Sequence, residues 1–379
     1  MGSEERLSLQ SMFITRILLV IGSLLPATTV AAEFQWKTEP PEPHGLATAK
    51  LDALRDHLAA HRTKAFLLVR DDRIVYEWYS ADHSATKPHF SASMAKALVG
   101  GISVAVALSD GRLELDDPIA KYVPPWRDDP VKARITFRQL GSHTSGLDDA
   151  EEKEIPHDKL TGWQGDFWKR LPVPRDAFTL SRDVVPVRFA PGERMAYSNP
   201  GIAMLAYATT AALKSAPEKD LRTLLRERVM RPIGIAENEW SVGYGQTVNV
   251  DGLPLVAAWG GGGYTARAAA RLGRLMLREG DWEGRRLIKA EAVRAVTRDA
   301  GTPANGAIGW WSNNDGSVAS LPRDAYWGAG AQHQITLVIP SLKLIAVRNG
   351  GALNAAGSHD DYAKARDTLF FQPLMAAMK

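Results

Sequence analysis

The chain has no cysteine among its 379 residues. That excludes disulfides, thiol nucleophiles and lipid attachment at cysteine, and it fits an exported bacterial protein that folds without covalent staples. A dominant charge is also lacking. The 46 Lys and Arg are nearly balanced by 43 Asp and Glu, for a formal net charge of +3. No basic run is interleaved with aromatics, so nucleic acid is not expected as a partner. There is no internal repeat. Long apolar runs are scarce: the one near the start, residues 17–25, is too short for a comfortable membrane span.

That short run has a different meaning in its setting. Arg16 precedes it, and small residues ending in Ala31-Ala32 follow before Glu33. A charged region, an apolar core and a small-residue cleavage site make residues 1–32 a secretory signal peptide. Glu4 and Glu5 fit a signal poorly, which favours a start at Met12. The expectation is a periplasmic or secreted protein, residues 33–379, with no stable membrane insertion after cleavage. A retained N-terminal anchor is the alternative. The remainder, in a chain 45% hydrophobic and 23% charged, can bury a full core.

After a Pro-rich lead at 39–43, read as an extended linker, spacing predicts a helix over 47–61 with Leu51, Leu54 and Leu58 on one face. His57 and His61 on that helix lack a third ligand and are read as surface residues rather than a metal pair. Strands are predicted at 65–70 and 73–79, joined by Asp71-Asp72. A short helix started by Thr136 precedes residues 148–185, which read as loop. There Trp163, Phe167 and Trp168 either line a cleft or pack beneath it. Helices are predicted at 202–212 and 219–230. Trp259 is followed by four glycines, but no Gly-Lys-Ser/Thr follows them. The run reads as a tight backbone approach before a helix capped by Thr265, and not as a phosphate cradle. A hairpin at 334–349 and a helix at 360–378 end the chain.

The chemistry concentrates at Ser93-Met94-Ala95-Lys96. An apolar helix runs on from it through Leu98, Ile102 and Val106, so Lys96 enters a buried environment that demands a role or a partner. Three residues apart, Ser93 and Lys96 share a helix face. A hydroxyl beside a desolvated amine is the arrangement of an activated serine nucleophile. Spacing alone does not decide this, because Ser84 and Lys87 match it too. Pro88 directly after Lys87 disfavours a helix there, so that pair reads as a polar loop.

Tyr197-x-Asn199 follows about a hundred residues later, and a glycine-containing strand entry lies at 327–332, with His143-Thr144-Ser145-Gly146-Leu147 before the second motif. In this order the sequence resembles the serine β-lactamase and penicillin-binding-protein superfamily, in its class C-like branch of carboxylesterases, D-aminopeptidases and 6-aminohexanoate-dimer hydrolases. The resemblance covers nearly all of residues 45–375. It implies an α+β fold: an antiparallel sheet of five or more strands flanked by helices, from residues 45–110 and 255–379, with a mostly helical lobe at 111–254. It implies Ser93 as nucleophile, and Lys96 and Tyr197 as the proton-handling pair, with either one the base. Asn199 would bind substrate or hold Lys96. The Ser93 N–H and a second one from Ala331 or Gln332 would form the oxyanion hole. No metal or organic cofactor is called for.

The third motif departs from the penicillin-recognising pattern of Lys-Thr-Gly. Here it reads Tyr326-Trp327-Gly328-Ala329-Gly330-Ala331-Gln332-His333, with no cation unless His333 supplies one. The expected substrate is therefore a small ester or amide. A β-lactam or a D-amino-acid peptide is the alternative.

Overall fold

Seven strands make the main sheet: β1 (Lys37–Thr38), β2 (Thr63–Arg70), β3 (Arg73–Tyr79), β4 (Trp311–Ser312), β5 (Tyr326–Gly330), β6 (Gln334–Ile339) and β7 (Leu344–Gly350). The computed structural model describes residues 34–153, 155–298, 306–354 and 361–379, so the signal segment expected at 1–32 lies outside the described residues. The spatial order is β1-β3-β2-β7-β6-β5-β4. All pairings are antiparallel except that of β1 on β3. The sheet is thus the α+β arrangement expected from strands at both ends of the chain. The Pro-rich lead is not a free linker. Lys37 and Thr38 pair with Arg73 and Ile74, and the Glu39 N–H donates to the Ile74 carbonyl at 3.0 Å.

Both faces of the sheet are buried, because alternate residues of its central strands are apolar on each side. Phe66, Leu68, Ile335, Leu337 and Ala346 join one core with Leu51, Leu54 and Leu58 of the helix Thr48–Ala60 and with Phe370 and Phe371 near the C-terminus. Ala65, Leu67, Val69, Val338 and Val347 join the other, larger core. That core includes the helical stretch Ala92–Ser109 and the helix Ala266–Leu277, which Thr265 caps through a 3.0 Å bond from the Ala268 N–H.

Residues 111–254 add no strand to the main sheet. Their helices are Phe137–Gly141, Gly162–Trp168, Ala177–Asp183, Asn199–Ala212 and Leu221–Leu225. Thr136 caps the first as predicted, in a reciprocal box with Gln139. Two of these helices fall where loop was expected, within 148–185. Asp176 starts the second, accepting from the N–H groups of Phe178 and Thr179 at 2.9 and 3.0 Å.

Candidate active site

Ser91 anchors the approach to the nucleophile. Its N–H and hydroxyl donate to the carbonyls of Gly262 and Gly261 at 3.0 and 2.7 Å. Ala92 then takes a left-handed φ of 48°, a conformation costly for a residue with a Cβ. The chain leaves this kink as one tight turn, Ala92–Met94, widens to i→i+5 winding over Lys96–Gly101, and continues as α-helix over Ile102–Ser109. Ser93 stands half-buried in the opening turn, and the Lys96 side chain one turn on is buried.

Three acceptors surround the Lys96 amine: Ser93 Oγ at 3.2 Å, Asn199 Oδ1 at 2.7 Å and the Trp259 carbonyl at 2.6 Å. Burial lowers the Lys96 pKa to about 7, while the carboxylates of Glu151 and Asp149 pull it upward. The amine is thereby pushed toward its neutral form, which is able to accept a proton. Ser84 and Lys87 show no such arrangement. They lie on an exposed turn, where Lys87 Nζ donates to the Asp82 carbonyl.

Asn199 moves one predicted helix start. It opens the helix Asn199–Ala212, three residues before the predicted start, and is fully buried. Its side-chain oxygen accepts from Lys96, and its amide N–H donates to Asp149 Oδ1 at 3.0 Å. The residue thus holds the lysine, one of the two roles expected of it. Burial raises the Asp149 pKa, opposed by the Asn199 backbone N–H that donates to it.

Tyr197 lies across the amine, with Lys96 Nζ 4.7 Å from its ring centroid. Burial raises its pKa well above the ordinary tyrosine value, and Glu151 adds to the rise, while a hydrogen bond with Ser93 opposes it. The phenol is therefore protonated at neutral pH. His143 backs the ring, with centroids 4.6 Å apart. Its Nδ1 accepts from the Ser198 N–H at 3.2 Å, and burial lowers its pKa to about 3, so it stays neutral.

The third motif reaches the site through β5. A Cβ on Gly330 would lie 2.3 Å from the Ser91 carbonyl and 2.9 Å from the Met94 nitrogen, so only glycine lets the strand lie this close to the nucleophile turn. Ala331 follows, exposed, at the strand's end. Gln332 is exposed too, but it turns away with φ 61°, and its carbonyl accepts from Arg348 at 2.8 Å. His333 supplies no cation. It is buried and stacked on Tyr362 at 4.0 Å, it bonds the Tyr362 carbonyl and the Leu353 N–H, and burial lowers its pKa to about 4.

The family model described as "Beta-lactamase" matches residues 51–369. The chain belongs to the beta-lactamase family. As a member of the serine β-lactamase and penicillin-binding-protein superfamily it is a serine hydrolase. This beta-lactamase family member is 26% identical to the 6-aminohexanoate-dimer hydrolase of Paenarthrobacter ureafaciens, over 81% of its own length and 74% of that protein's. Its fold is similar to that of a family VIII carboxylesterase, with TM-score 0.63, 17% identity and coverage of 88% and 99% of the two chains. It is also similar to a penicillin-binding protein homolog from Caulobacter crescentus, with TM-score 0.62, 16% identity and coverage of 88% and 99%.

Three contributors were missed in the sequence: Asp149, Glu151 and the carbonyl of Trp259. The two carboxylates lie just after His143-Thr144-Ser145-Gly146-Leu147 but form no motif with it. A backbone carbonyl carries no residue signal at all.

Proposed function

We propose that this hydrolase cleaves small esters and amides through an acyl-enzyme on Ser93. The observation that carries the reading is the Lys96 amine, desolvated and held 3.2 Å from Ser93 Oγ, in a site whose third motif presents no cation. Penicillins and D-peptides carry a carboxylate that needs such a cation. Here the charges that act on Lys96 are those of Glu151 and Asp149, which disfavour an acidic substrate.

Lys96 is the base and Tyr197 the proton donor. The amine can be neutral near pH 7, whereas the phenol is held protonated. Ser93 Oγ attacks the acyl carbon as its proton passes to Lys96 Nζ. The Ser93 and Ala331 N–H groups receive the negative oxygen of the tetrahedral intermediate, since a first-turn amide has no helical partner. The bond to the leaving group breaks, Tyr197 gives that group its proton, and Lys96 returns one to Tyr197. Water then enters and attacks the acyl carbon as it loses a proton to the same amine; the bond to Ser93 Oγ breaks, Lys96 returns the proton to Oγ, and the acid leaves. Asn199 fixes the amine throughout.

Turnover of p-nitrophenyl acetate and butyrate beside nitrocefin, with Ser93→Ala as blank, tests the reading. Ser93-dependent ester cleavage far exceeding nitrocefin turnover is expected. Strong nitrocefin turnover without ester cleavage would overturn it. Residues 1–32 are proposed as a cleaved signal to the periplasm or exterior. N-terminal sequencing of the protein from that compartment tests this, and an intact Met1 or Met12 there refutes it.

A further inference from the structure

The turn from Gly330 to His333 includes Ala331, the second oxyanion donor of the proposed mechanism. Each of its four carbonyls is held by a side chain. Tyr362 Oη donates to the Gly330 carbonyl at 2.9 Å and Gln334 Nε2 to that of Ala331 at 3.3 Å. One Arg348 nitrogen donates to those of Gln332 and His333 at 2.8 and 2.9 Å. The turn requires such a clasp. Gln332 and His333 stand in succession at left-handed φ values of 61° and 58°, each costly for a residue with a Cβ. Strain of this kind persists only where the surroundings overdetermine it, and it collects at functional sites.

Of these bonds, the one from Tyr362 acts on the reacting peptide itself. The Gly330 carbonyl and the Ala331 N–H belong to a single planar, trans peptide unit. Its two polar ends point in opposite directions, so a donor fixed on the oxygen also sets the direction of the N–H. The same bond strengthens that N–H as a donor, because hydrogen bonds in a chain polarise one another. The peptide has little room to shift bodily. A Cβ on Gly330 would lie 2.3 Å from the Ser91 carbonyl and 2.9 Å from the Met94 nitrogen, so the end of β5 already abuts the turn that carries Ser93. Rotation of the peptide plane is the motion left, and the Tyr362 hydroxyl opposes it.

Tyr362 is fixed in turn. Its ring stacks on His333 with centroids 4.0 Å apart and planes at 6°, and its carbonyl accepts from His333 Nε2 at 3.1 Å. Burial raises its pKa to about 12, so the phenol remains a donor at neutral pH. It also lies near enough to Tyr197 to add to the rise of that phenol's pKa. We propose that Tyr362 is a positioning residue for acylation: through the Gly330 carbonyl, its hydroxyl aims and polarises the Ala331 N–H toward the oxygen of the tetrahedral intermediate. This rests on the acyl-enzyme reading and adds to it a residue that acts through the backbone, from the start of the helix Tyr362–Arg366.

Tyr362→Phe removes the hydroxyl and keeps the ring that stacks on His333. The readout is p-nitrophenyl acetate beside its thionoester, in which sulfur replaces the carbonyl oxygen. Sulfur is a weak acceptor and gains little from oxyanion donors. The unaltered protein should therefore prefer the oxygen ester in kcat/KM. In Tyr362→Phe the oxygen ester should lose about tenfold, less than the roughly 10²–10³-fold cost of deleting an oxyanion donor outright. The thionoester should lose little, so the ratio of the two falls about tenfold as well. That ratio is taken within one preparation, so it does not depend on how much of the variant folds. Equal rates for the two esters in the unaltered protein overturn the proposal. So does a ratio that is unchanged or larger in Tyr362→Phe, including the case where both rates fall together, as a purely structural role would have it. In each of these outcomes Ser93-dependent ester cleavage stands. Absence of all such cleavage overturns the acyl-enzyme reading itself, and this one with it.

Discussion

Asp149 holds Asn199 twice through a single carboxylate oxygen, from the backbone N–H at 2.8 Å and from the side-chain amide at 3.0 Å. That grip fixes which way the amide faces, so that its oxygen points at Lys96 Nζ, 2.7 Å away. Asp149 is thus a positioning residue that reaches the amine through Asn199. Asp149→Ala is expected to lower kcat about tenfold to hundredfold, because a small misplacement of a catalytic group is that costly. Its negative charge also raises the Lys96 pKa, so its removal should move the acidic limb of the pH profile to lower pH. A residue of purely structural importance would lower the rate without moving the limb.

The pH dependence itself follows from Lys96. The base is the neutral amine, which is populated as pH rises through about 7. Acylation should therefore increase with pH across that value and level off above it. Glu151 pulls the same pKa upward, so Glu151→Gln should shift the rising limb toward acid. Stopped-flow acylation rates from pH 5 to 9 check both. A limb that shifts toward alkali in Glu151→Gln would contradict the assignment.

Tyr197 acts on the leaving group, and this separates it from Lys96. A p-nitrophenolate departs without a proton, whereas an alkoxide or amide nitrogen does not. Tyr197→Phe should cost about 10²–10⁴-fold on alkyl esters and amides, and much less on p-nitrophenyl esters. Lys96→Ala should lower both by several orders of magnitude, since it removes the activator of the nucleophile. Equal losses on the two substrate classes in Tyr197→Phe would place the phenol at Ser93 activation instead.

Arg348 carries a stability prediction. It is fully buried with no carboxylate partner among the described residues, and burial lowers its pKa to about 9. Its guanidinium bonds Thr63 Oγ1 and the carbonyls of His61, Gln332, His333 and Gly351 at 2.6–3.2 Å. It thereby ties β2 to the turn that follows Ala331. Arg348→Met leaves these five acceptors unpaired and, at roughly 1–3 kcal/mol for each orphaned group, should cost about 5 kcal/mol or more. Denaturant unfolding measures this, and a loss below about 1 kcal/mol would contradict it.

Much of this protein is legible in its sequence where the signal is local. Alternation marked the hairpin of β2 and β3, and Thr136 and Thr265 marked helix starts by their capping chemistry. That Ser93, Lys96 and Tyr197 come together was legible because a buried lysine is conspicuous and the motif order is specific. The two helices within 148–185 were missed because each is seven residues long, too short for periodicity to show. Asp176 ahead of Ala177-Phe178-Thr179-Leu180 was the available cap signal. The double role left open for Asn199 could be resolved only by tertiary contact, since Asp149 lies 50 positions away. Nor could sequence show that Lys37 and Thr38 join the sheet, because two residues have no period.

The central claim is that Ser93 is the nucleophile and Lys96 its activator. Mass spectrometry of the protein treated with a fluorophosphonate probe tests it most directly. The expected result is one adduct on the peptide containing Ser93, absent from Ser93→Ala and formed far more slowly in Lys96→Ala. An adduct on another residue, or undiminished labelling of Ser93→Ala, would contradict the account.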